Sequence, residues 1–255
     1  MSQTTLLSRI EDAGLNASAP PQQRWMDGWL VRYSPGKAKR ARCINAVAEG
    51  RLPLADKLRL AQALFDEAGL PMVIRITPFT QPATLDAELQ AMGLASLDDT
   101  RVMACPELTA LRPLPLPAGN RWQPMDAHAF AEAVGGLRGS PPLQRHAHAE
   151  RLRLSPVPFQ AFGIVREDDD ALLACGQFAR EADLVGLYDV FTAPEHRGRG
   201  LAACLCSYLL VQARAQGART GYLQVEGDNT AARRVYHRLG FSDGYSYHYR
   251  VTAQG

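Results

Sequence analysis

One segment, residues 184–202 (LVGLYDVFTAPEHRGRGLA), limits the possible folds more than any other part of the chain. Its apolar and β-branched start predicts a strand over 184–192, which must end before Pro194. The sequence RGRG at 197–200 then leads into an apolar helical pattern that begins near Leu201. Two glycines allow a tight turn, and the first turn of a helix offers unpaired N–H groups and the positive end of its dipole. The segment therefore predicts a strand, a glycine turn and a helix N-terminus that together bind a phosphate group.

Two motifs indicate which phosphate is bound. Neither the P-loop pattern nor the dinucleotide fingerprint is present, but R-x-x-G-x-A occupies 197–202 and N-x-x-A-x-x-x-Y-x-x-x-G-F follows at 229–241. In this order they resemble the pyrophosphate loop and the second signature of the GNAT acyltransferase superfamily, which binds acyl-coenzyme A. The resemblance covers about residues 120–252. It implies an α/β (α+β) chain with the GNAT fold, a mixed and mostly antiparallel sheet with helices on both faces.

Composition narrows the class of protein. With 46% hydrophobic and 21% charged residues and a net charge of +2, the chain is globular and has no basic field that favours nucleic acid. No apolar stretch reaches the roughly 20 residues that span a membrane, and the N-terminus has no leader-like pattern. The five cysteines follow no metal-ligand spacing, so we expect reduced thiols, no metal and a cytoplasmic location.

The proline-rich stretch at 112–119 predicts a linker, since alternate prolines fit neither a helix nor a central strand. It divides a smaller GNAT-like domain, 1–111, from a catalytic GNAT domain, 120–255. Aligning Gly93 with Gly240 sets helix 54–68 against helix 201–215. That alignment puts no motif residue in the first half, because Pro53 falls opposite Gly200 and Leu89 opposite Tyr236. We therefore expect a tandem GNAT with a degenerate N-terminal copy; the alternative is chance similarity between two α/β halves.

Periodicity and turn residues predict the remaining elements. The first half is expected to hold helices at 4–13, 54–68 and 85–92, a hairpin or bulged strand at 25–33, and strands at 40–47, 72–77 and 100–105. The second half is expected to hold strands at 120–124, 159–166, 171–180, 184–192, 222–225 and 241–251, and helices from 126 to about 135, within 141–153, from 201 to about 216 and from 229 to 240.

The resemblance also implies how the cofactor, acetyl-CoA, is held. The turn and helix start bind its pyrophosphate, the backbone of the preceding strand pairs with the pantetheine arm, and an N–H near Val190 polarises the thioester carbonyl. Asn229 caps its helix and also reaches the cofactor. The predicted cofactor-binding residues are Val190, Phe191, Thr192, Arg197, Gly198, Arg199, Gly200, Leu201, Ala202 and Asn229.

Two residues are candidates for proton transfer. Tyr236 is either the family's general acid, which protonates the departing thiolate, or a tyrosine of the core. Asp189 is a candidate base, as are Glu226 and a water held by either. By strand alternation Tyr188, Val190 and Thr192 share one face, and Asp189 and Phe191 the other. A buried Asp189 must be either used or paired, so the alternative is a hydrogen bond or ion pair.

The implied function is that of a GNAT-type N-acetyltransferase, which moves acetyl directly from the thioester to an amine in a ternary complex. No cysteine accompanies a motif histidine, which disfavours an acyl-cysteine route. The alternatives are a non-catalytic acyl-CoA sensor, a longer acyl chain or an oxygen acceptor. The expected partner is a small-molecule or peptide amine, which His146 or His148 would touch; whether the chain is a monomer or a homodimer stays open.

Overall fold

The computed structural model describes residues 2–34 and 38–252. Helices α1 to α7 span Gln3–Ala17, Leu54–Glu67, Leu85–Ala91, Ala127–Leu137, Pro142–Arg153, Leu201–Ala215 and Thr230–Arg238. Strands β1 to β6 span Gln23–Met26, Trp29–Arg32, Ile44–Ala46, Val73–Ile76, Ala95–Cys105 and Asn120–Met125. Strands β7 to β11 span Phe159–Arg166, Leu172–Glu181, Leu184–Thr192, Thr220–Glu226 and Ser242–Val251. Within the described ranges, no helix has the length and apolarity needed to cross a membrane.

The chain forms two compact units that alternate along the sequence. The larger unit comprises the residues up to 17, 102–225 and 229–244, and the smaller comprises 18–101, 226–228 and the residues from 245 onward. This division differs from the linear one expected around 112–119, because helix α1 belongs to the larger unit and most of strand β11 to the smaller. The predicted boundary between two sequence repeats stays a prediction.

The larger unit is built on a mixed sheet in the order β10-β9-β8-β7-β6. Its strands pair antiparallel except for β9 and β10, which are parallel and joined by helix α6. On one face α6 contributes Leu205 and Leu209 to a core that also holds Phe178. On the other face α4 and α5 contribute Phe130 and Leu152 to a second cluster. The predicted mixed, mostly antiparallel sheet with helices on both faces is therefore confirmed for this unit.

Helices α1 and α4 continue beyond the glycines at which the sequence predicted they would end. A Cβ on Gly135 would lie 2.5 Å from Arg145 Cγ of helix α5, and a Cβ on Gly14 would lie 3.0 Å from Gln224 Nε2 of strand β10. These glycines allow close approach of neighbouring elements and do not end the helices. The sequence prediction of these two helix ends was wrong because it took Gly14 and Gly135 as terminators.

In the smaller unit the strands run in the order β1-β2-β3-β4-β11. Strands β1 and β2 form the predicted hairpin, and both turn residues, Asp27 at φ +44° and Gly28 at φ +83°, have the positive φ of a type I′ turn. Strand β3 is shorter than predicted because residues 39–41 form a 3-10 turn before it. Strands β3 and β4 pair in parallel and are connected by helix α2.

Candidate active site

The glycine turn between β9 and α6 leaves a row of backbone N–H groups open. Gly198 and Gly200 both have φ +78°, and a Cβ on either would meet nothing within 4 Å. Among the residues that the structure describes, the N–H groups of residues 198–203 make no hydrogen bond to the protein. The first paired amide is that of Cys204, 3.0 Å from the Gly200 carbonyl oxygen. The turn therefore has the open donors that an anion requires at a helix N-terminus.

Strands β9 and β10 separate just before this turn. Their parallel pairing ends at Leu187 and Leu223, although β9 continues to Thr192 and β10 to Glu226. Among the described residues, no strand therefore pairs with the β10-facing edge of residues 188–192. An extended chain of amides can add to such an edge in the same way as a further strand.

Alternation along β9 indicates which amides point toward the open edge. On the β8 side, the Ala193 N–H donates to the Leu173 carbonyl oxygen at 2.9 Å. Since successive residues of a strand present their N–H groups to opposite edges, the N–H of Phe191 points to β8 as well. Those of Val190 and Thr192 point to the side that β10 has left. The role predicted for the Val190 N–H stays a prediction.

A β-bulge lies at Asp189, which has φ +51°. In the pairing of β8 with β9, Cys175 is opposite Phe191 and Gln177 opposite Tyr188, with a register shift between the two pairs. The extra residue in β9 re-aims the strand where it leaves β10. A left-handed conformation at a residue other than glycine costs energy, so the surrounding contacts must hold it in place.

The bulge changes which side chains share a face. Tyr188 contacts Phe159 at a ring distance of 5.3 Å on the face of α4 and α5, and Asp189 lies on the same face. Val190 packs instead against the core that contains Leu205 of α6. The expectation that Tyr188 shares a face with Val190 was therefore wrong, because strict alternation does not hold across a bulge.

Asp189 is paired on three sides. Its carboxylate accepts from Arg138 Nη1 and Gln177 Nε2, each at 2.9 Å, and His148 Nε2 lies 3.4 Å away. Burial raises the pKa of Asp189, but the His148 imidazole and the Arg138 charge outweigh it, and the pKa lies well below its usual range. The ion pair that the sequence left open is thus present, whereas the role as a base stays a prediction. The other candidate, Glu226, is exposed at the end of β10.

Tyr236 lies on helix α7, half-buried against Phe241 at a ring distance of 6.2 Å. Burial, and to a smaller extent the Cys206 thiol, raises the pKa of Tyr236 well above its usual value. Within residues 2–34 and 38–252, its hydroxyl has no hydrogen-bond partner. The phenol therefore keeps its proton and has a free donor. As predicted, Asn229 caps the helix and accepts from the Ala232 N–H at 3.1 Å.

Two guanidinium groups lie over the Phe191 ring. Arg197 Cζ is 5.4 Å and Arg138 Cζ 5.5 Å from the ring centroid, both within cation–π range. Arg197 Nε also donates to the Thr192 carbonyl oxygen at 3.3 Å. Sequence reasoning missed Arg138, since it lies outside both motifs. Its contact with Asp189 joins residues 51 positions apart, which no local pattern in the sequence signals.

Arg199 extends to the other side of the turn. It donates to the Glu195 carbonyl oxygen at 3.4 Å and contributes to a cleft of about 560 Å³. The cleft is also lined by Arg166, His196 and Leu201, among others. Of the two histidines expected near the acceptor, His146 is exposed and His148 contacts Asp189. In the described parts of the chain no three His, Cys, Asp or Glu side chains are placed to hold a metal ion.

The chain is similar to known acetyltransferases of the GNAT type. Residues 131–241 match the acetyltransferase (GNAT) family. The uncharacterized N-acetyltransferase YobR of Bacillus subtilis is 27% identical over 90% of this chain and 92% of its own length. A GCN5-related N-acetyltransferase structure from Kribbella flavida has a TM-score of 0.70 at 19% identity and covers 97% of this chain and 95% of its own. A tandem GNAT protein from the clavulanic acid biosynthesis pathway has a TM-score of 0.62 at 17% identity, over 79% of this chain and 70% of its own.

The open amides and the separated strands lie in a GNAT fold. Residues 131–241 match the acetyltransferase (GNAT) family, and this match together with the N-acetyltransferase relatives identifies the chain as an enzyme of that type.

Proposed function

We propose that this protein transfers an acetyl group from acetyl-CoA directly to an amine in a ternary complex. The observation that carries the proposal is the row of unpaired amides over residues 198–203. These amides lie at the positive end of a helix dipole, which suits a pyrophosphate. The bare edge of residues 188–192 lies just before the turn in the chain and suits the amides of a pantetheine arm.

Each step of the reaction has a candidate group. Acetyl-CoA supplies the activated acetyl group as a thioester. The Val190 N–H stabilises the negative charge that develops on the carbonyl oxygen as the amine attacks. A C–N bond forms, the C–S bond breaks, and Tyr236 gives its proton to the departing thiolate. The amine loses its proton to water or to a water held by Asp189.

The cysteines support direct transfer. Burial raises the pKa of both Cys175 and Cys206 to about 12, and it also raises the pKa of Cys204. Because the thiolate is the nucleophilic form of cysteine, these thiols stay protonated near neutral pH. An acyl-cysteine intermediate at any of the three is disfavoured, and a ternary complex is the simpler route.

We also propose that residues 1–111 are a degenerate GNAT-like copy joined to the catalytic domain, 120–255, by the linker at 112–119. Strands β3 and β4 are parallel and connected by α2, just as β9 and β10 are connected by α6. Where α6 begins with open amides, the Arg51 and Leu52 N–H groups before α2 donate to the Asp27 carboxylate at 2.9 Å. A protein carboxylate thus takes the place of a pyrophosphate, so we expect no CoA to bind there.

The decisive experiment is a panel of amines incubated with acetyl-CoA, with release of free thiol as the readout. Calorimetry with acetyl-CoA alone runs beside it. Binding together with amine-dependent thiol release is the expected result. Binding without transfer to any amine would favour the sensor, and absence of binding would remove the proposal. We place the reaction in the cytoplasm, with a small-molecule or peptide amine as acceptor.

A further inference from the structure

The two faces of strand β9 differ in how they are covered beside the proposed thioester position. Val190 packs against the α6 core, where Leu205 and Leu209 are fully buried. An amine therefore has no route from that face. Phe191 projects to the opposite face, toward α4 and α5. The acceptor must approach over Phe191.

This approach carries more positive than negative charge. Arg138 and Arg197 both lie within 5.5 Å of the Phe191 ring centroid, and the carboxylate that faces them is that of Asp189. Arg138 uses Nη1 for Asp189. Its Nε and Nη2 make no hydrogen bond to any described residue, and its side chain is 28% exposed. A guanidinium group that is fixed at one nitrogen and free at the others can bind a second carboxylate.

We propose that the acceptor is a small amine that also carries a carboxylate, and that Arg138 binds this carboxylate with Arg197 adding charge across the Phe191 ring. This inference rests on the proposed acetyl transfer and names the substrate class for it. An acceptor with only positive charges would be repelled here.

Asp189 acts in this scheme as a positioning residue. Gln177 and Arg138 hold its carboxylate at 2.9 Å, and it in turn fixes the Arg138 guanidinium over Phe191. The strained φ of +51° at Asp189 is what aims the carboxylate at the end of α4, because a regular strand would place Tyr188 and Asp189 on opposite faces.

The test compares amino acids with their carboxamides, which lack the carboxylate charge and have a less basic amine. The whole chain is assayed with acetyl-CoA and each member of pairs such as L-phenylalanine and L-phenylalaninamide or L-lysine and L-lysinamide, with free thiol as the readout. We expect kcat/KM to be higher for the carboxylate member of the accepted pair by about tenfold or more, the worth of a charged hydrogen bond. A larger fraction of the carboxamide carries the free, reactive amine, which by itself would favour the carboxamide. The expected preference is therefore opposite to this effect.

Variants then test whether Arg138 causes the preference for the carboxylated amine. Arg138→Met should lower the ratio by about tenfold or more, and Arg138→Lys should retain part of the preference. Because Arg138→Met leaves the half-buried Asp189 without this cation, the double variant Arg138→Met/Asp189→Asn removes both charges and should show the same loss of preference. Arg153→Gln, an exposed arginine of α5 that pairs with Glu150, is the matched control and should leave the ratio unchanged.

The KM values and the pH profile of kcat distinguish a positioning role of Asp189 from a role as a base. Asp189→Asn should raise KM for the carboxylated amine while KM for acetyl-CoA and the pH profile of kcat stay unchanged. Collapse of kcat with a changed pH profile would instead make Asp189 the base and would refute its positioning role. Equal or greater activity on the carboxamides, or neither transfer to nor binding of any carboxylated amine, would overturn the acceptor proposal. Acetyl transfer to neutral amines alone would do so while leaving the proposed function intact.

Discussion

The carboxylate of Asp27 accepts a hydrogen bond from the Arg51 backbone N–H, which lies 2.9 Å from both of its oxygens. The same carboxylate also accepts from Leu52, and Lys57 Nζ lies 3.6 Å from it. These donors precede helix α2 in the same way that Gly198 and Arg199 precede α6. In the smaller unit the chain provides its own anion, and in the larger unit the corresponding donors are open.

Removing this anion should weaken the smaller unit. The two backbone hydrogen bonds hold the pKa of Asp27 below its usual value, so the contribution of Asp27 to stability is present above the pKa of the unfolded chain and is lost as the pH falls through the lower folded pKa. Asp27→Ala should therefore lower Tm at pH 7, and the difference from wild type should shrink in strong acid. Thermal unfolding across pH measures this, and a difference that grows toward acid would contradict the assignment.

Substitution of Gly200 in the turn between β9 and α6 should abolish binding of acetyl-CoA. Gly200→Glu introduces a carboxylate where we expect a pyrophosphate, and repulsion together with loss of space should remove measurable affinity for acetyl-CoA in calorimetry. Gly217→Glu is the matched control, because Gly217 also has a positive φ, of +102°, with nothing within 4 Å of its Cβ position. It lies at the opposite end of α6. Normal affinity in Gly200→Glu would refute the loop assignment.

Loss of the Tyr236 hydroxyl should slow the chemical step. Tyr236→Phe removes the proposed proton donor but keeps the ring contact with Phe241, so we expect kcat to fall about 100-fold with little change in acetyl-CoA affinity. Steady-state kinetics test this. Tyr208→Phe is the control, since that ring stacks on Trp122 at 3.9 Å and has no proposed role in the reaction. An unchanged kcat in Tyr236→Phe would leave Tyr236 as a core residue.

Helix α4 offers two adjacent glycines that should respond in opposite ways. Gly135→Ala brings a Cβ to 2.5 Å from Arg145 Cγ and should destabilise the protein by about 1–3 kcal/mol through overpacking. Gly136→Ala places its Cβ 4.0 Å from Arg145 Nη1, an ordinary contact. It should therefore be neutral or stabilising by up to about 1 kcal/mol, because alanine favours a helix. Denaturant unfolding measures the free energy of unfolding of both variants. Equal changes would show that the contact between Gly135 and Arg145 does not limit the packing of α4.

The parts of the site that the sequence predicted are local in the chain. The turn at 198–200, the cap at Asn229 and the strand over 184–192 each depend on neighbours within a few residues, and such signals are visible in sequence. The bulge at Asp189 is different, because an aspartate in a strand gives no sign that its φ will be positive. The bulge is held by contacts with Arg138 and Gln177, which are distant in the chain, so pattern reasoning did not find it.

The same limit explains the misplaced faces and helix ends. Alternation assigned Tyr188 to the face of Val190 because it assumes a regular strand. Gly14 and Gly135 were taken as helix ends because their close neighbours, Gln224 and Arg145, belong to other elements. Strand alternation and glycine positions describe single elements. The faces of β9 and the ends of α1 and α4 depend on contacts between elements that meet only in the folded chain.

Strand β11 has a consequence for how the protein is made. Residues 248–251 pair with β4 in the smaller unit, yet they leave the ribosome long after residues 73–76. Throughout that interval the nascent chain exposes an edge of β4 that is ready to pair with any passing strand. Release of the polypeptide before residues 248–251 are made would therefore leave a fragment with this edge exposed and prone to aggregation.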